Sequence, residues 1–336
     1  MAIELVVLCL VGLGITLYAV LGGADFGAGV WEFNTALQAS ERERALIYRA
    51  IGPVWEANHV WLIFVIVVMF SAFPTAFAAL SRALWMPLLL ALVGIVFRGA
   101  SYAFRSHAVA ALRQQEIWGA VFALASTATP FFLGAAVGAV ASGKLVVTVD
   151  GRYAGNYLTG WMTPLAIFNG FFTVGMCAYL AAVFLTREAF LQRDPELTSL
   201  WRRRALATGV WMGILALGGL TFVASDAPLL WQGFRERAWH VVAVSLVTGF
   251  LSLWALWSEH HHGAALGAAA TVATVIWGWA VAQYPLLVPP AISIESAKAG
   301  EAVLKLIAWS IAGGMLLLLP ALAWLFYLFK NPTESD

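Results

Sequence analysis

Charge is scarce in this chain. Of 336 residues, 19 are Lys or Arg and 18 are Asp or Glu, 11% in all. A soluble globular domain carries roughly a quarter, so a soluble domain is excluded. A net charge of +1 offers no basic surface to a polyanion, which excludes nucleic acid as a partner. Cysteine is scarcer still. Cys9 and Cys177 lie far apart in apolar runs, which excludes a disulfide framework and any CxxC metal or redox site. The sequence has no Walker motif, no GxGxxG fingerprint and no GxSxG elbow. The first twenty residues have no basic n-region and no small-residue cleavage site, so they are read as a retained first span.

What is abundant is apolar. Hydrophobic residues make up 62% of the chain, and the mean hydropathy is +0.84. Runs long enough to span a bilayer occur about nine times, near 4–31, 57–80, 83–105, 117–142, 160–186, 204–225, 238–257, 264–283 and 303–329. No connection is longer than about thirty residues, which predicts a single all-α, polytopic membrane domain over 1–336. With nine spans, twelve of the nineteen basic residues fall on the side of the C-terminus. The positive-inside rule then puts the N-terminus outside and the C-terminus in the cytoplasm. Glycines four apart, at Gly23–Gly27, Gly134–Gly138 and Gly209–Gly213, predict close helix packing.

Ionisable groups inside spans are costly and so mark candidate sites. Asp25 sits late in the first span, in "LGGADFGAG". Glu56 opens the second, in "GPVWEANHVWLI", beside Asn58 and His59. Arg98 and Arg105 close the third, in "FRGASYAFR". All three places fall on the cytoplasmic side of the predicted topology, so Asp25, Glu56 and Arg98 are expected to meet at one depth. Taken singly each has an ordinary explanation: a helix-start acid for Glu56, an interfacial belt for Trp55 and Trp61, a snorkelling stem for Arg98. Taken together they suit a shared polar site and a proton path. None of the histidines, His59, His107, His240 and His260–His262, lies mid-span, where a haem held between helices needs its ligand. His260–His262 suit a metal, but a short polar loop explains them as well. Three prolines in "AQYPLLVPP" predict an interfacial loop or re-entrant segment.

These stretches, in order, resemble subunit II of the cytochrome bd-type quinol oxidases. "YAVLGGADFGAGVW" is similar to the family's Gly-Phe-Asp-hydrophobic-Gly-x-Gly motif. "IGPVWEANHVWLI", with Gly52, Pro53, Trp55 and Trp61, is similar to its Gly-Pro-x-Trp-Asp-Gly-Asn-x-Val-Trp-Leu-Ile block. "MFSAFPTAFAAL", "FRGASYAFR" and "YPLLVPP" resemble its later motifs. The chain departs from the pattern at Ala24, where the family has Phe, at Glu56-Ala57, where it has Asp-Gly, and at Tyr102-Ala103, where an acid is often found.

The resemblance implies a heterodimer in a bacterial or archaeal cytoplasmic membrane. A partner subunit I would carry haems b and d, or b alone, and the quinol site. This chain would hold no haem through its own ligands. It implies a fold of two four-helix bundles and one peripheral helix, and leaves room for small accessory single-span subunits and a structural quinone or lipid. The complex would reduce O2 to water with electrons from quinol. Quinol protons would leave outside, and protons for the chemistry would come from the cytoplasm. On this expectation Asp25, Glu56, Arg98, Asn58 and His59 line a proton path, while Gly52, Pro53, Trp55, Trp61 and Arg105 are structural or interface residues. Without the motifs, the same cluster also suits an ion-coupled secondary transporter.

Overall fold

The computed structural model describes residues 2–35, 41–51, 55–107 and 112–330. The chain runs through α1 (Ile3–Leu17), a π-helical turn (Tyr18–Gly22), α2 (Gly23–Thr35), α3 (Glu41–Ile51), α4 (Trp55–Ala72), α5 (Pro74–Ala83), α6 (Trp85–His107) and α7 (Leu112–Ser142). It continues through α8 (Pro164–Leu191), α9 (Pro195–Asp226), α10 (Pro228–Gly233), a second π-helical turn (Phe234–Ala238), α11 (Trp239–Trp257), α12 (His261–Gln283), α13 (Ile294–Ala297) and α14 (Glu301–Lys330). Among the described residues, eight helical stretches are long and apolar enough to cross a bilayer, and the shorter Asn58–Ala72 is apolar too. These correspond to the nine predicted runs.

The predicted span 57–80 is corrected. It breaks at Phe73, whose φ of −133° and ψ of 59° leave the helical region, and Pro74 starts a new helix. Proline disfavours helical geometry in the residue before it but suits the first helical turn. The same chemistry opens the later spans. Thr163 accepts from the Ala166 N–H at 3.1 Å, Asp194 accepts from the Leu197 N–H at 3.1 Å, and Pro164 and Pro195 follow them. The "YPLLVPP" stretch forms a small antiparallel pair, β1 (Leu286–Val288) with β2 (Ile292–Ser293), and buries Val288 and Ile292.

Connections at each end of the helices are tied to one another, which shows the alternation. At one end Arg42 pairs with Asp194 and Glu196, Glu43 with Arg204 at 3.0 Å, and Arg202 with Glu259 at 2.8 Å. At the other end Lys144 pairs with Asp226, Arg82 donates to the Gly151 carbonyl at 3.3 Å, and the Ala299 N–H donates to the Ala72 carbonyl at 2.8 Å. The amphipathic α3 buries Leu46 and Ile47 and is held by the first set of pairs.

α8 is the centre of the packing. It lies against α2, α7, α9 and α12, and its run Leu180–Val183 is almost wholly buried. α1 instead packs on α4 and α14. The small-residue expectation holds for α2 and α7. A Cβ on Gly27 would lie 1.8 Å from the Cys177 carbonyl oxygen, so the α2 and α8 backbones touch there. It fails at Gly213, where an added Cβ would meet nothing within 4 Å. Gly209 itself does pack closely, since a Cβ there would lie 2.5 Å from Leu253 and 2.7 Å from Tyr179, so the close contact ends one turn before Gly213.

Candidate functional site

The π-helical turn Tyr18–Gly22 leads directly into α2, with Asp25 in the first turn of that helix. Small residues around Asp25 let neighbouring helices close in. On α2, a Cβ added at Gly29 would fall 2.3 Å from Ser126 of α7. The close approach therefore presses Ser126 toward the arginine that α6 supplies.

That arginine is Arg98. It is 1% exposed, and Asp25 is 7% exposed. Its Nη2 donates to Asp25 Oδ1 at 2.6 Å and to the Asp25 backbone carbonyl at 3.4 Å. Its Nε donates to Ser126 Oγ at 3.1 Å. The guanidinium also lies over the rings of Phe26 and Phe122, at 4.9 and 5.0 Å from their centroids. A buried charge is tolerable only when paired and hydrogen-bonded, and both conditions are met. Arg98 does not snorkel; it is enclosed.

Asn58 and His59 of α4 complete the far wall. Asn58 is buried and donates to the Leu21 carbonyl at 3.4 Å. The freed carbonyls of a π-helical turn are natural acceptors for such a contact. The His59 ring sits 6.1 Å from Tyr18 and 6.2 Å from Phe26. The structure thus brings Asp25, Arg98, Asn58 and His59 together. Glu56 stands in the first turn of α4, two residues before Asn58, but its side chain, like those of Trp55 and Arg105, lies outside the described residues. So do Gly52 and Pro53 altogether. Trp61 is 5% exposed and meets Phe64 edge-on, facing the interior.

Sequence reasoning missed several partners. Ser126, Phe122 and Tyr18 carry no local signal, because nothing in a run of apolar and small residues says which face meets an arginine on another helix. A second pair, between the buried Glu43 and the partly exposed Arg204, was also missed. Glu43 is 5% exposed, and Arg204 lies over Trp201 and Trp31 at 4.6 and 5.4 Å. Trp31 in turn donates to the Ala178 carbonyl at 2.8 Å. The signal was the amphipathic 41–51 segment.

The histidine run is spread among separate neighbours. His260 stacks on Trp254, His261 packs on Phe190 at 4.7 Å, and His262 Nδ1 accepts from Arg187 Nε at 3.0 Å. Among the described residues no group of three His, Cys, Asp or Glu side chains is placed to hold a metal ion.

Crossing helices that enclose an arginine–carboxylate pair in their apolar interior define a polytopic membrane protein with a charged site at bilayer depth. More specifically, the chain belongs to the cytochrome bd terminal oxidase subunit II family, whose model matches residues 3–329. It is therefore a subunit of a quinol oxidase complex. It is similar to the cytochrome bd-I ubiquinol oxidase subunit 2 of Escherichia coli K12, 23% identical over 97% of this chain and 94% of that protein. The cytochrome bd ubiquinol oxidase subunit 2 of Bacillus subtilis 168 is 28% identical over 62% of this chain and 58% of that protein. The bd oxidase structure from Geobacillus thermodenitrificans superposes with a TM-score of 0.76 at 20% identity, covering 98% of this chain and all of that one. At that identity the likeness speaks to the fold.

Proposed function

We propose that this chain is the non-haem subunit of the oxidase, paired with a haem-binding subunit I that carries haems b and d, or b alone, and the quinol site. In this reading it steadies the haem subunit and supplies a cytoplasmic-side proton path for reduction of O2 to water. It forms one membrane domain, with the helices arranged as two four-helix bundles and one helix apart. The N-terminus lies outside and the C-terminus in the cytoplasm, as the arginine-rich connections around 41–51 and 187–204 favour.

The observation that carries the path is the Asp25–Arg98 pair. A carboxylate and a guanidinium at 2.6 Å, both enclosed by helices, form a unit that is neutral at rest. A proton taken up by Asp25 makes it cationic, and that charge rests on Arg98, held by Ser126 and the faces of Phe26 and Phe122, until the proton moves on. Asn58 and His59 extend it toward the start of α4, where Glu56 would form the mouth. The division of labour between the subunits is tested by spectroscopy. The chain expressed alone should show no Soret band at one haem per chain, and co-expression with subunit I should yield a haem-loaded heterodimer. A stoichiometric Soret band in the lone chain, lost on replacing one His or Met, would overturn it.

A further inference from the structure

Tyr18 is unusual in this interior. Its hydroxyl oxygen is buried and has no hydrogen-bond partner in the protein, the one hydroxyl so placed among the described residues. The other buried tyrosines are served: Tyr153 donates to the Asn156 carbonyl at 3.0 Å, and Tyr179 meets Ser252 Oγ at 2.7 Å. A phenylalanine would fill the same space without burying a polar atom, so the hydroxyl costs stability where it stands.

Its position is set by the backbone. Tyr18 opens the π-helical turn, and such turns in α-helices recur at functional sites. Its ring lies back over Gly22, where an added Cβ would come within 3.2 Å of Cε2. It reaches toward Phe26 at 6.4 Å and His59 at 6.1 Å. The titratable and charged groups facing it are Arg98, Cys177, Asp25 and His59. Along the helix, Tyr18 stands seven residues before Asp25, roughly 10 Å deeper in the membrane. The ring packs against Gly22, three residues before Asp25.

Building on the proton-path reading above, we infer that the Tyr18 hydroxyl is the next step of that path, passing protons from the Asp25–Asn58–His59 group toward the membrane interior. A phenol can accept at a lone pair while donating its own proton. A proton reaches Oη from the Asp25 side, through one bridging water, as the Oη–H proton leaves to a second water on the inner side, which passes on a proton in turn. The donor has lost one proton, the acceptor has gained one, and the phenol is unchanged and uncharged. Rotation about the C–O bond resets it. A buried water with two or more polar partners is an ordinary component of such a site.

The test uses the assembled, haem-loaded oxidase in vesicles, comparing Tyr18→Phe, Tyr18→Leu and Asp25→Asn. Oxygen consumption and proton uptake are measured across pH, in H2O and D2O. Tyr18→Phe should slow turnover about tenfold, within what a positioned proton-transfer group contributes. It should also raise the solvent isotope effect and leave haem content intact. Tyr18→Leu should do the same. If Asp25→Asn is slow and Tyr18→Phe keeps the wild-type rate, pH profile and isotope effect, the Tyr18 step is wrong and the path stands. If Asp25→Asn is itself wild-type, the path fails and the Tyr18 step with it. Loss of turnover in Tyr18→Leu alone, or loss of haem in Tyr18→Phe, assigns the residue to packing and overturns the inference.

Discussion

Replacing Asp25 with leucine strands Arg98. The guanidinium is 1% exposed, so water cannot take over from the lost carboxylate at 2.6 Å. What remains is Ser126 Oγ at 3.1 Å, the residue-25 carbonyl at 3.4 Å and two aromatic faces. Breaking one side of a buried pair costs about 3–5 kcal/mol. A soluble domain's whole margin is about 5–15 kcal/mol, so Asp25→Leu should lose most of its folded, assembled complex. Asp25→Asn keeps a carbonyl acceptor for Nη2 and should cost less, about 1.5–3 kcal/mol, the range of a hydrogen bond to a charged group. The double variant Asp25→Leu/Arg98→Met removes both charges at similar volume and should recover stability to wild type or above, because no bare charge remains. It should not recover turnover. The assay is thermal unfolding of the purified heterodimer, followed by tryptophan fluorescence, with haem content and oxygen consumption on the same samples. The reasoning is refuted if Asp25→Leu melts with the wild-type curve, or if the double variant is no more stable than the single.

Two further predictions follow from packing and from the connection between α8 and α9. Gly27→Leu should abolish assembly, since even its Cβ would fall 1.8 Å from a backbone oxygen, while Gly213→Leu should be neutral; equal yields of folded protein would contradict the contact geometry. The Leu197 N–H and then Arg42 hold the Asp194 carboxyl below the usual carboxylate range. Its folded value lies under the unfolded one, so its stabilisation is complete above about pH 4 and fades as pH falls through the folded value. Asp194→Asn should melt slightly below wild type at neutral pH and converge with it in acid; a gap constant with pH would refute that.

Much of the fold was legible because lipid imposes simple rules. Long apolar runs gave the crossings. Costly ionisable residues within them, Asp25 and Arg98, marked the site that the structure assembles. The break at Phe73 was also written in the chain, in Pro74, but the apolar run on either side hid it. What stayed illegible depends on which helix faces which. Ser126 looks like any small residue in α7, and only the approach of Gly29 to it brings it to Arg98. Gly209–Gly213 has the same spacing as Gly23–Gly27, yet Gly213 faces open space, because spacing reports a shared face and not what lies opposite. Arg42 and Glu43 look like solvated loop charges, and their pairing with Asp194 and Arg204 spans about 150 residues of sequence.

In the proposed path Asp25 and Glu56 carry protons to the oxygen chemistry from the cytoplasmic side. That role is tested most directly by proton uptake coupled to oxygen consumption in vesicles, using Asp25→Asn and Glu56→Gln heterodimers with full haem. The account predicts that both variants consume oxygen and take up protons more slowly than wild type, with the deficit growing as pH rises and protons become scarcer. Fully haem-loaded variants that keep wild-type turnover and proton uptake across pH would contradict it.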